Sequence, residues 1–287
     1  MRKFHNNDPP QTTLKHLASI DFEDWYNDVE KSTQLDYHES QQAFRRQIRK
    51  ITEILDQTQT RCTFFVLGKT AERYPNLVQE LQHKGHEIAS HGYGHEKVFN
   101  LTPREFEEDI KKSIEIIDSL IREKPVGYRA PFFSVNKDQF WIYDILSKHG
   151  FLYSSSIFPF NGIRYGTGSH PLTPQKKVLS DKQEITEFPL SVVNLRKTRF
   201  PVAGGGFWRV MPVNSIKWSV QYIQKQNRPF NMYLHPHEFD PSPLKSHKGW
   251  KRNLYVNLGR KTIHKKFHYL LTRFSFSTFK EYLLSSS

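Results

Sequence analysis

The stretch Glu87–Val98 reads EIASHGYGHEKV. Its first part continues HEIASH (86–91), a short run that reads as a buried strand, and it then breaks at Gly92 and Gly94 into a turn carrying His95. Two histidines four apart on one helical turn point the same way and can share one metal ion. That spacing decides little alone, so its meaning depends on what surrounds it in the fold.

Working outward, apolar runs alternate with amphipathic stretches. HLASIDF (16–22) reads as a strand, and a polar helix over about 38–57 places Phe44, Ile48, Ile51 and Leu55 on one face. CTFFVLG (62–68) is a second strand, and TAERYPNLVQELQHKG (70–85) reads as a helix with Thr70 as N-cap and Gly85 as its stop. The clearest helix is 101–121, where Thr102, Pro103 and Glu105 form the pattern of a capping box. VGYRAP (126–131) and FLYSSSIF (151–158) read as strands around a helix at 137–149. EITEFPLSVV (184–193), a helix at 212–226 and the strand FNMYLHP (230–236) follow. This rhythm predicts an α/β fold with a parallel sheet or barrel, whose chemistry sits at the carboxyl ends of the strands.

Composition bounds the rest. The chain has 287 residues, with 22 Phe, 13 Tyr and 5 Trp to build a core, and no Pro/Gly/Ser-rich linker or repeat divides it. One cysteine, Cys62, excludes an intrachain disulfide framework and fits a reducing compartment. The opening MRKFHNNDPPQTTLKHLA lacks the apolar core of a secretory signal, and no run of about 18 apolar residues occurs. A cytoplasmic location, with peripheral membrane contact as an option, is the expectation. The net charge is +13, and from Pro241 onward ten Lys/Arg face one acid, Glu281. Such a surplus suggests an anionic partner such as a membrane surface, a nucleotide-linked sugar or an acidic polysaccharide; a merely solvated basic face is the plain alternative. No nucleic-acid-binding module accompanies it, so no specific nucleic-acid partner is expected.

The strand ends carry a coherent set of side chains. The first supplies Asp21, Glu23 and Asp24; the third leads into His91 and His95; a later one ends at Arg129; the last ends at His235. Two imidazoles and a carboxylate can hold one metal with open positions, a second carboxylate can serve as general base, and a distant histidine as general acid.

The order SIDFED, TFFVLGKTAERYPNLVQELQHKGHEIASHGYGH, YRAPFFS, YLHPHE resembles the NodB-homology polysaccharide deacetylases, and within them the subgroup of exopolysaccharide and exosortase-associated loci. The likeness runs from about Leu17 to His237. It implies an irregular (β/α) barrel of about seven strands over residues 1–240, with 241–287 a basic extension packed on or continuous with it. It further implies one divalent ion, Zn²⁺ foremost, held by Asp24, His91 and His95. Asp21 matches the catalytic base, Arg129 the group that keeps it ionised, and His235 the general acid. The implied reaction is hydrolytic removal of an N-acetyl group from an amino sugar, whether polymeric, lipid-linked or nucleotide-linked.

Two departures from the family pattern matter. The family usually has adjacent acids, whereas here Phe22 follows Asp21. A turn after Phe22 would bring in Asp24, while a continuing strand would put Glu23 on the face of Asp21. Related sequences also carry an acid near Ser154 that tunes the acidic histidine. Among rim aromatics, Trp25, Phe132 and Trp208 are the candidates for stacking on a sugar, with Tyr26, Phe133, Tyr165 and Phe207 behind them, and a backbone N–H near Phe132 is expected to meet the oxyanion. AGGGFWRV (203–210) lacks phosphate-loop spacing and reads as a close-approach turn beside the substrate groove. His237 reads as a surface histidine without a role. A metal-dependent amidase acting on a small non-sugar amide, and a non-catalytic glycan-binding relic, are the competing readings.

Overall fold

The computed structural model describes residues 14–29, 37–162, 167–179, 183–196, 198–244 and 249–285. Tyr165 lies outside them. Seven parallel strands form one curled sheet: β1 (His16–Phe22), β2 (Thr63–Val66), β3 (Glu87–Ser90), β4 (Gly127–Tyr128), β5 (Tyr153–Ser154), β7 (Glu184–Glu187) and β10 (Asn231–Leu234). Their order is β10-β1-β2-β3-β4-β5-β7. β6 (Gln175–Val178) pairs antiparallel with β7 at the far edge, and β11 (Phe276–Ser277) pairs parallel with the start of β1. The seam between β7 and β10 has no ladder. There the Ser191 backbone N–H donates to the Asn231 carbonyl at 3.2 Å, and the Asn231 side-chain Nδ2 donates to the carbonyls of Phe188 and Pro189. The result is the irregular barrel that the alternation of elements implies. A separate hairpin, β8 (Val192–Leu195) with β9 (Thr198–Pro201), splits what reads in sequence as one strand over 184–193.

Helices α1 (Tyr37–Gln57), α2 (Gly68–Arg73), α3 (Pro75–His83), α4 (Pro103–Ile121) and α5 (Ile142–Lys148) connect the first strands. Helices α6 (Gly205–Val210), α7 (Val213–Gln224), α8 (Trp250–Asn257), α9 (Ile263–Leu271) and α10 (Phe279–Ser285) follow. α1 buries Phe44, Ile48, Ile51 and Leu55 as its spacing requires, and α4 begins with the Thr102–Glu105 capping box. The stretch 70–85 is two helices. Pro75 cannot continue the hydrogen-bond ladder and starts α3, so Thr70 lies inside α2 and caps nothing. Gly85 does stop α3, at φ 81°. No described helix is long and apolar enough to cross a membrane.

Two described elements beyond residue 241, β11 and α10, pack into the barrel. β11 pairs with β1, and Phe279 of α10 is buried, stacked on Tyr153 of β5 at 5.3 Å. Buried Glu87 ties this end down, accepting from the Thr63 hydroxyl, the Tyr153 phenol and the Lys280 amide.

AGGGFWRV is a close approach of backbone to backbone. Gly204 bridges to Tyr233 of β10 with φ 140°, and a Cβ placed on it would stand 1.9 Å from the Tyr233 carbonyl oxygen. Trp208, four residues on, is fully buried and donates its indole N–H to the Val202 carbonyl at 2.8 Å, so it belongs to the core and cannot meet a sugar. Gly204→Ala should cost roughly 2–4 kcal/mol, because left-handed strain and overpacking against backbone add. A urea midpoint left in place by that variant would show the approach to be slack.

Candidate active site

Parallel strands bring their carboxyl ends to one rim, and there Asp21, Glu23, His91, His95, Arg129 and His235 converge. β1 ends at Phe22, and the Glu23 amide folds back to the Asp21 carbonyl at 3.0 Å. This tight turn keeps both carboxylates on the inner face. His91 follows β3 directly. The chain from 92 to 97 is a non-helical turn in which His95 has φ 60°, so the two imidazoles meet through a left-handed kink and not along a helix.

The carboxylate between these imidazoles is that of Glu23. Its Oε2 lies 2.6 Å from His95 Nε2 and 3.5 Å from His91 Nε2. Asp24 is turned the other way, which corrects the expectation that it joins the histidines. Its Oδ1 accepts from the Tyr26 and Asn27 backbone N–H groups, starting the short helix Trp25–Val29, and its Oδ2 accepts from the Tyr74 phenol and the Asn27 side-chain Nδ2, both at 2.7 Å. Those bonds occupy the lone pairs a metal would need. The electrostatics part the two acids as well. Burial alone would raise the Glu23 carboxyl, but His95 foremost, then His91 and His235, hold it well below the ordinary carboxylate range. Burial raises the Asp24 carboxyl, and its hydrogen bonds from Tyr74 and Asn27 do not offset that.

The Glu23–His91–His95 group fits a cation on its own chemistry. His91 Nδ1 faces an acceptor, the Arg129 carbonyl, at 2.8 Å, and so carries the proton. Its Nε2 lone pair is then on the side of the Glu23 carboxylate, 3.5 Å away, where a cation would take the place of the proton that otherwise joins the two. The Nδ1 of buried His95 has no hydrogen-bond partner among the described residues. One ligand atom from each of the three residues lies within 4.8 Å of the others. Two imidazoles and a carboxylate suit Zn²⁺ with an open coordination position.

Arg129 is fully buried. It donates to Asp21 Oδ1 and the Ser19 hydroxyl, both at 2.7 Å, and to the carbonyl and hydroxyl of Ser155. His235 stands opposite, its Nε2 3.8 Å from Asp21 and 3.6 Å from Glu23. Its Nδ1 faces Glu238 at 3.5 Å. Burial opposes its protonation, but Glu238 first, with Glu23 and Asp21, raises it to about 9. Glu238 was not singled out in the sequence, although its place three residues after His235 was the available signal. It supplies the acid beside His235 that Ser154 lacks; Ser154 itself is fully buried and bonded to the Ser156 hydroxyl at 2.8 Å.

A cavity of about 180 Å³ opens on these groups. Phe132 sits at its rim with φ 57°, its ring 4.6 Å from that of His95. Trp25 also lines the cavity, though it is buried, with 3% of its surface exposed. Phe207 packs on Phe158 and Phe160. His237, expected on the open surface, is in the cavity wall with its ring 5.3 Å from that of His235, and burial keeps it neutral.

Removing Glu23 and removing Asp24 should therefore have opposite effects. Glu23→Gln is expected to lower zinc affinity at least about 100-fold, with little change in melting temperature. Asp24→Asn should retain stoichiometric zinc yet melt earlier, having lost a buried acceptor. Elemental analysis with thermal unfolding reads both, and the reverse pattern would return the ligand role to Asp24.

Comparison with known proteins adds a family. The polysaccharide deacetylase family model matches residues 14–153, and a second, described as a domain of unknown function (DUF3473), matches 155–284. Peptidoglycan deacetylase-like protein FGM2 of Gibberella zeae is 31% identical over 151 residues, 50% of this chain and 44% of that one. The chain spans less than half the length of the curated relatives it matches. In three dimensions a candidate polysaccharide deacetylase from Mycobacterium smegmatis aligns with TM-score 0.67 at 17% identity, covering 96% of this chain and 90% of that one. Puue allantoinase aligns with TM-score 0.64 at 13% identity, covering 96% and 93%. Two adjoining family matches, one barrel and one rim of strand-end residues agree: the chain belongs to the NodB-homology polysaccharide deacetylase family.

Proposed function

We propose that this chain hydrolyses the N-acetyl group of an amino sugar, within a polysaccharide or its lipid- or nucleotide-linked precursor. The observation that carries this reading is the joint placement of a Glu23–His91–His95 cation group with Asp21 and His235 on one cavity. A divalent ion there, Zn²⁺ first among candidates, would polarise the acetyl carbonyl and make water a stronger nucleophile near neutral pH.

The chain's own groups do the proton work. Asp21, aimed by the Arg129 guanidinium on its Oδ1, takes a proton from the attacking water as the new C–O bond forms. The acetyl oxygen gathers negative charge toward the turn at Phe132. His235 then gives its proton to the amide nitrogen as the C–N bond breaks, since an unprotonated amine is a very poor leaving group. Acetate and a free amino sugar result. His235 can do this only while protonated, which Glu238 favours. Phe132 at the rim offers an apolar face to a sugar ring, with buried Trp25 in the cavity wall behind it.

Acetate release from N-acetylated oligosaccharides, followed with metal content, tests the reading. Wild type should lose activity on chelation and regain it with Zn²⁺. Asp21→Asn and His235→Ala should each fall by roughly 10²–10⁴-fold with zinc retained. Metal without acetate from any N-acetylated sugar, but with turnover of small amides, would favour the amidase; retained zinc with no turnover of either would leave the glycan-binding relic.

Glu238→Gln should change the pH profile in a stated direction. The rate falls as pH rises through the His235 pKa, and the variant loses the leading group that raises it. The alkaline decline should therefore move to lower pH. An unmoved decline would dissociate Glu238 from the acid.

A further inference from the structure

The C-terminal segment leaves a row of large apolar side chains in water. Trp250, Leu254 and Leu258 stand at intervals of four along and just past α8, and so above one another on one helical face. They are 72%, 63% and 51% exposed. Tyr255 beside them is exposed too, and only Val256 of the helix is buried. The helix is held from the opposite side. The Arg209 guanidinium donates to the carbonyls of Tyr255 and Val256 at 3.1 and 2.9 Å, and the Asn257 side chain bonds both the amide and the carbonyl of Leu244. Val210, next to Arg209, adds a further exposed apolar side chain. A contiguous apolar row of this kind on a surface marks a contact site.

The charge around the row says what it contacts. Lys251 and Arg252 flank it on α8, exposed Lys261 and Lys265 follow, and no acid occurs between Pro241 and Lys280. A one-signed basic surround with tryptophan on the apolar side is the composition that seats a helix at an anionic lipid interface. We propose that α8 is such a seat: Trp250, Leu254 and Leu258 enter the boundary between headgroups and acyl chains, and the flanking bases meet anionic headgroups. Eight residues extend about 12 Å, so the helix lies in the plane of the surface. The same helix lends Arg252, Tyr255 and Val256 to the cavity that holds Asp21 and Glu23. Seating α8 therefore brings the cavity mouth to the headgroup layer, where a lipid-linked sugar is presented; that last step rests on the proposed deacetylation, whereas the seat itself does not.

Flotation of the full chain with vesicles of phosphatidylcholine alone, or with about a third phosphatidylglycerol, tests the seat. Wild type should float with the anionic vesicles and release as salt rises. The double variant Trp250→Ser, Leu254→Ser should bind roughly tenfold or more weakly with an unchanged melting temperature, both residues being exposed. A polarity-sensitive dye on Leu254→Cys, the native Cys62 being buried, should shift to the blue on binding. Failure to float, flotation that the double variant retains, or a dye that stays in water would each overturn the proposal. So would a dimer that this variant abolishes, since the face would then belong to a second copy. Acetate release absent from a protein that floats as described would count against deacetylation and leave the seat standing.

Discussion

The site is organised around the Arg129–Asp21 ion pair. Arg129 has no exposed surface, lies 3.9 Å from the Phe65 ring, and spends its hydrogen bonds on β1 and on the segment just after β5. A guanidinium removed from water is tolerable only with its partners in place; breaking such a pair costs about 3–5 kcal/mol. Its position thus fixes how β1, β4 and the chain beyond β5 lie relative to one another. It also aims Asp21, one oxygen on Arg129 and the other toward His235. Once Asp21 is set, the turn after Phe22 leaves one direction for Glu23, and the histidines close on it.

Much of this was legible in the sequence because it rests on local chemistry. α4 announces itself through Thr102, Pro103 and Glu105, which act within one turn. The strands were recognisable as elements but not as lengths: VGYRAP and FLYSSSIF contribute two residues each, since a sheet curling this tightly leaves neighbours in register only briefly. The choice between Glu23 and Asp24 was not legible locally. It is made by Tyr74 and Asn27, the first fifty residues away, which claim the Asp24 oxygens. Trp208 failed as a rim residue for a similar reason: a carbonyl at Val202 satisfies its one polar atom and lets the rest sink into the core.

The two family matches meet at residue 154, and the rim draws on both. Asp21, Glu23, His91, His95 and Arg129 come from the first; His235 and Glu238 come from the second. Glu23, His91 and His95 thus lie on one side of that division in sequence and His235 with Glu238 on the other, and the two regions are joined where β10 lies against β1, with β11 on β1 and β7 on β5 as further seams.

That pairing has a consequence for how the chain is made. β1 leaves the ribosome before the other described strands, yet one of its edges is completed by β10 and part of the other by β11, each more than 200 residues later. For most of synthesis this seven-residue strand waits with one hydrogen-bonding edge open and the other only partly covered by β2, unable to complete the barrel. Long-range closure of this kind is slow and leaves the nascent chain open to mispairing. The supply of active protein in a cell then depends on what shields β1 during translation as much as on the stability of the finished fold.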